Sequence, residues 1–364
     1  MRFLLPLITL TFLLVACEKK EKLPTIKDGP IYPGAEWAIA SPEKYKFSPN
    51  TKNELDAYLE ISRNRVTGLV VIVGGEMIYS HGQINELSYL ASARKSIMSM
   101  LYGKYVGNGT INLDRTIGDL ISTGVIPEDV GGLMPIEKEA TIRHCLAARS
   151  GVYHLGSNTG DDRAHFPTRG TKEPGTYFMY NNWDFNVNGS IFEGLTKMNI
   201  YDAFGVDFAV PLRFQDWDRG KQVKGGSTSI SLYRAYHFYL SARDMARLGY
   251  LMLRNGMWND TQIIPKDWVI ESTSAITPLN EMNPTSRRNG THGYGYMWWV
   301  RDGNTNTGAL RGSYLASGMG GQLIAVVPEL DMVVAQKRDA NVHTSSYSDS
   351  YFLGFINLLA SLKD

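Results

Sequence analysis

Cysteine is nearly missing from this chain: Cys17 and Cys145 are the two present in 364 residues. Two thiols cannot staple a fold together, so the core must come from apolar burial. Cys145 lies in the apolar run Thr141-Ile142-Arg143-His144-Cys145-Leu146, where a buried inert thiol is expected. Excess charge is missing as well. The formal net charge is +1 and no basic run is long enough to grip phosphates, which argues against a nucleic-acid partner. The seven histidines show no pair at ligand spacing and no cysteine cluster joins them, so no metal is expected and no cofactor is implied. Internal repeats are absent too.

Long apolar runs are scarce, and the first is at the start. Arg2 precedes an apolar stretch from Phe3 to Val15, too short to span a bilayer comfortably but suited to an export signal. It ends in Leu14-Val15-Ala16-Cys17, which resembles a bacterial lipobox. That resemblance implies cleavage before Cys17, acylation of Cys17, and an exported lipoprotein held to a membrane through its lipid, facing the periplasm or lying at the outer membrane or cell surface. Residues 1–17 therefore read as a lipoprotein signal peptide. Glu18-Lys19-Lys20-Glu21-Lys22, with Pro24 and Pro30 beyond, opens a solvated tether over residues 18–50.

What is present is enough apolar material, 43% of the chain, for one large domain over residues 51–364. Leu55, Tyr58, Leu59 and Ile61 fall at helical spacing. Leu69-Val70-Val71-Ile72-Val73, a Gly74-Gly75-Glu76 turn and Met77-Ile78-Tyr79 read as a β-hairpin. Residues from about 92 to 290 are mostly helices and long loops, including a helix capped by Ser241 and ended by Gly256. Strand character returns in Tyr296-Met297-Trp298-Trp299-Val300, Gln322 to Val327 and Met332 to Ala335, and a helix from Phe352 to Leu362 follows. The expected fold is α+β: an antiparallel sheet from about 51–91 and 291–364, flanked by helices, with a mainly helical lobe inserted between.

Two Ser-x-x-Lys spacings occur. Ser41-Pro42-Glu43-Lys44 has no apolar helix behind it and reads as a solvated loop. Ser92-Ala93-Arg94-Lys95 opens the apolar run Ser96-Ile97-Met98-Ser99-Met100-Leu101, which could dehydrate a lysine and lower its pKa. Three residues apart on a helix, the Lys95 amine and the Ser92 hydroxyl share a face. That pairs a nucleophile with a base. Arg94 between them falls on an exposed face in most registers. Downstream, Tyr180-Asn181-Asn182 supplies a Tyr-x-Asn, and Gly318-Met319-Gly320-Gly321-Gln322 supplies small residues before a strand, where a substrate backbone can lie close. Lys224-Gly225-Gly226 is out of order and reads as a turn in the lobe.

In this order the three pieces resemble the serine β-lactamase/penicillin-binding superfamily. The likeness is to its class C-type branch of esterases, D-aminopeptidases and 6-aminohexanoate-dimer hydrolases, from about residue 50 onward. The resemblance implies the β-lactamase-like fold. It makes Ser92 the acylating nucleophile, with Lys95 and Tyr180 as proton-transfer groups, and leaves open which of these two is the acylation base. It places Asn182 beside Lys95 and the substrate. Met319, Gly320 and Gly321 fall where relatives carry Lys-Thr-Gly or His-x-Gly, and the N–H groups of Ser92 and Gln322 would form the oxyanion hole.

The departure is Met319, which cannot pair with a substrate carboxylate as a cation does. Arg311, Lys337 and Arg338 could substitute from another direction, and Tyr153, Trp183 and Trp299 could line an apolar pocket, although core packing fits each. The leading expectation is a serine hydrolase acting on a small ester or amide. A β-lactamase or D,D-peptidase is the alternative within the enzymes. A catalytically idle protein that binds cell-wall peptide is the alternative of another class.

Overall fold

The β-branched run after Thr67 and the two glycines behind it form the first hairpin of the sheet. In the computed structural model, which describes residues 29–61, 65–158, 160, 162–339 and 349–364, β1 (Val66–Val73) and β2 (Glu76–Gly82) turn at Gly74 and Gly75. Five later strands complete the sheet: β3 (His292–Tyr294), β4 (Trp299–Arg301), β5 (Tyr314–Gly318), β6 (Gln322–Val327) and β7 (Met332–Arg338). The order is β2-β1-β7-β6-β5-β4-β3, antiparallel throughout. The two ends of the chain meet where Val71 pairs with Val334. The α+β fold with a flanked antiparallel sheet is as expected from the sequence.

Strand β1 is apolar without alternation because both faces of the sheet are covered. Leu69, Val71, Leu323 and Val334 lie under α1 (Thr51–Ile61) and α5 (Asp349–Ser361). Val70, Ile72, Ile324 and Val333 face the interior shared with the lobe. The lobe contributes α2 (Arg94–Gly107), α3 (Asn182–Thr196) and α4 (Ala242–Leu253). Ser241 caps α4 by accepting from the Asp244 N–H, and Gly256 follows its end.

Several local expectations are corrected. Strand β4 begins only at Trp299, because Met297 adopts a left-handed φ of 61° and the Gly295 N–H reaches the Trp298 carbonyl. Strand β5 was not anticipated: Ala316-Ser317-Gly318 carries no β-branched residue to announce it. Lys224 and Gly225 lie in a short ribbon, Val223–Gly225 against Ala235–His237, rather than in a turn. Ser41 is exposed at the start of a 3-10 turn, as a solvated loop residue would be.

The signal segment and Cys17 lie outside the described residues. The part of the expected tether from 29 to 50 is packed on the domain instead. Trp37 is buried and donates its indole N–H to the Arg243 carbonyl. The buried Arg247 guanidinium lies over the Trp37 ring and donates to the carbonyls of Gly34 and Ala35. Apolar side chains at Trp37 and Phe47 give this strap a reason to fold back.

Lys337 joins the sheet to the segment that leads into Ser92. Its amine donates to the carbonyls of Ser88 (2.6 Å) and Leu240 (3.0 Å), residues of a two-stranded ribbon. Burial pushes the amine down from 10.5 to about 7, with Glu86 opposing weakly. Between those two values the unfolded chain binds a proton that the folded one has released. Stability therefore rises with pH from about 7 to 10.5 by up to about 1.4 kcal/mol per pH unit. Urea unfolding across that range should show a rise in wild type that Lys337→Met removes. Equal slopes would mean the amine titrates normally.

Candidate active site

The Ser88–Tyr89 strand of that ribbon runs into a 3-10 turn, Ala91–Ala93, which leads directly into α2. Ala91 has φ of 48°, a left-handed conformation that costs a non-glycine residue of order 1–3 kcal/mol, and it turns the chain sharply before Ser92. Ser92 is half-buried in that 3-10 turn, two residues before the helix proper rather than within it. Lys95, in the first turn of α2, is 1% exposed. Its amine donates to Ser92 Oγ (3.2 Å) and to Tyr180 Oη (2.6 Å). The amine also lies 4.1 Å from the centre of the Tyr180 ring and 4.2 Å from that of Phe185. The structure thus brings Ser92, Lys95 and Tyr180 together, although Lys95 and Tyr180 are 85 residues apart.

Tyr180 is held from several sides. Trp299 stacks on it at 5.7 Å with the planes 23° apart, and Phe185 and Tyr294 pack against it. The following asparagines divide the work. Asn181 caps α3 through the Trp183 N–H and donates to the carbonyls of Val152 and His154, fixing the approach of the chain. Asn182 is buried as the first residue of α3, and the chain at Gly156 passes so close that a Cβ there would sit 2.9 Å from Asn182 Cβ.

Met319, Gly320 and Gly321 make the β5–β6 turn. Both glycines have positive φ (83° and 89°), and the Gly321 N–H bonds back to the Gly318 carbonyl. Met319 is 66% exposed at the tip. Gln322 is buried at the start of β6, its amide bridging to the main chain of Arg338. The backbone facing the Ser92 turn is Gly318, where a Cβ would lie 2.2 Å from the Leu90 carbonyl oxygen and 3.1 Å from the Ala93 nitrogen. Only glycine permits that approach.

Other side chains depart from expectation. Arg94 is buried, not exposed: its guanidinium lies 4.5 Å from the Tyr236 ring centre and donates to Asn186 Oδ1 (3.2 Å). The reason is that the lobe covers α2 on that side as well. Trp183 is core, bonded to Asp129, and Tyr153 packs on Phe166. Arg311 is paired with Glu329, and Arg338 donates to the Gly320 carbonyl (3.0 Å). Sequence reasoning missed Phe185 and Arg287, whose guanidinium lies 5.9 Å from the Tyr180 ring centre and 5.2 Å from that of Trp299. No motif marks either residue. Among the described residues no group of three or more His, Cys, Asp or Glu side chains is placed to hold a metal ion.

A protein of Alkalihalophilus pseudofirmus, described as uncharacterized, is 29% identical over 267 residues, covering 68% of this chain and 72% of its own length. Solved structures share the fold at lower identity. A Bacillus anthracis protein described as a candidate 6-aminohexanoate-dimer hydrolase superposes with a TM-score of 0.66 at 18% identity, over 90% of this chain and 88% of its own. EstCE1, described as a hydrolase with promiscuous acyltransferase activity, gives 0.60 at 15%, over 85% and 98%. An octameric penicillin-binding protein homologue of Pyrococcus abyssi gives 0.62 at 16%, over 86% and 78%. The Beta-lactamase family model matches residues 54–336, a span that holds Ser92, Lys95, Tyr180 and the β5–β6 turn, and the chain belongs to that family.

Proposed function

We propose that the protein is a serine hydrolase that forms an acyl-enzyme at Ser92 on small esters or amides. One arrangement carries this reading: a single buried amine within hydrogen-bond reach of both the Ser92 and the Tyr180 hydroxyls. Ser92 Oγ attacks the acyl carbon and passes its proton into the Lys95–Tyr180 pair. Tyr180 hands a proton to the departing oxygen or nitrogen, and the first product leaves as an alcohol or amine. Water then attacks the ester on Ser92, the pair moves its proton back to Ser92 Oγ, and a carboxylic acid departs. The charge that develops on the acyl oxygen needs main-chain donors. The N–H of Ser92 is one, and the second belongs to the Gly318–Gln322 stretch, where Gln322 is the residue expected from the family resemblance. Asn182 would orient the substrate side of Lys95.

A β-lactamase or D,D-peptidase would need a cation for its substrate's carboxylate, and the exposed Met319 offers none at the third motif. That ranks neutral or differently held acyl donors first. An idle binding protein would have no chemical use for a buried lysine bonded to both Ser92 and Tyr180.

Intact-mass measurement with esters, linear amides, D-Ala peptides and β-lactams should show an acyl adduct on at least one donor, lost in Ser92→Ala. Silence from every donor would favour the binding protein. Lys95→Ala and Tyr180→Phe should each lower kcat by about a hundredfold or more with circular dichroism unchanged. Near-normal turnover in either would remove that residue from the proton path.

We also propose that the protein is exported and acylated at Cys17, on the strength of the Leu14-Val15-Ala16-Cys17 sequence. Cells fed labelled palmitate should label the wild type in the membrane fraction and leave Cys17→Ala unlabelled. Label retained in the variant would reject the anchor.

A further inference from the structure

Arg287 stands at the mouth of the site on a 3-10 turn, Thr285–Asn289, remote in sequence from all three motifs. Its fork is oriented by Asp162 in an uneven way. Nε (3.2 Å) and Nη2 (2.8 Å) both donate to one oxygen, Asp162 Oδ2, while Nη1 donates to no partner among the described residues. The guanidinium is about one-third exposed and lies within cation–π reach of both Trp299 and Tyr180. A 390 Å³ cavity opens beside it, lined by the apolar Met282, Trp299, Leu315 and Leu353 together with the polar Asn289 and His292. The other cations near the third motif are engaged elsewhere. Arg311 holds Glu329, Lys337 holds two main-chain carbonyls, and Arg338 donates to the Gly320 carbonyl.

An oriented guanidinium with an N–H that has no partner among the described residues, partly open to solvent beside a cavity of mixed polar and apolar lining, is suited to a carboxylate or similar anion. The direction follows from the acyl-enzyme reading, on which this inference rests. Tyr180 gives its proton to the departing atom, so the part of the substrate on the Trp299 side is the leaving half. We propose that Arg287 is a specificity-determining residue that selects esters or amides whose leaving half carries a carboxylate or another anion, with the apolar body of that half lodged in the cavity. Asp162 acts as its positioning partner. Arg287 thus supplies the cation that the third motif lacks.

The test compares two acetyl esters, 3-acetoxybenzoate and its neutral methyl ester, which release acetate and the matching phenol. The ratio of kcat/KM for the anionic over the neutral ester cancels general damage to the site. Arg287→Gln should lower that ratio about ten- to a hundredfold, the worth of one charge-assisted hydrogen bond, and Arg287→Lys should retain part of it. A ratio unchanged within about twofold overturns the proposal, whatever happens to the separate rates. Calorimetric binding of 3-hydroxybenzoate to Ser92→Ala reads the same contact without turnover. Adding Arg287→Gln should weaken it about tenfold or more, and unaltered binding overturns the anion contact. Binding that responds to Arg287 while wild type forms no adduct at Ser92 rejects the acyl-enzyme chemistry alone.

Discussion

The whole site depends on holding one amine in a nearly dry place where it can touch two hydroxyls at once. Lys95 cannot reach water freely, so its donors must be met by protein atoms. Ser92 comes from the 3-10 turn that leads into the lysine's helix, whereas Tyr180 stands two residues before another helix and Phe185 lies in its first turn. The faces of the Tyr180 and Phe185 rings, 4.1 and 4.2 Å from the amine, close around it. Such an arrangement tolerates little movement between α2 and α3. Their burial against the sheet is therefore a condition of the chemistry and not a backdrop to it.

Two of the contacts that the sheet makes with the site set its geometry. Gly318 brings the β5 backbone against the Ser92 turn, and Trp299 on β4 stacks on Tyr180. One contact sets the distance from the nucleophile to the strand edge, and the other sets the angle of the tyrosine ring. Both rely on neighbours in the same antiparallel register, where Trp299 pairs with Leu315. A slip of one residue would turn Trp299 away from Tyr180 altogether.

Much of this was readable in the sequence, and the reasons for the gaps are physical. The β-branched runs at 69–73, 322–327 and 332–335 announced their strands because such residues pack well on a pleated surface. The Ser92–Lys95 spacing was readable because helical geometry alone puts the two side chains on one face. Strand β5 was hidden because the property it supplies is the absence of side-chain bulk. Arg94 was misjudged because a helix in a lobe is enclosed on more sides than one on a surface. Arg287 carries no local signature. Its role comes from a fold that sets Asp162, Tyr180 and Trp299 around it, and tertiary placement of that kind has no periodicity to detect. The strap at 29–50 was masked by its prolines and charges, although Trp37 and Phe47 were the clue to its packing.

That strap has a mechanical consequence. The Tyr250 hydroxyl donates to the Ile31 carbonyl, so the chain is fastened to the domain from about that point onward. A pull on the chain ahead of residue 31 is therefore taken up by α4, through Tyr250 and Arg247, and not by the turn that carries Ser92.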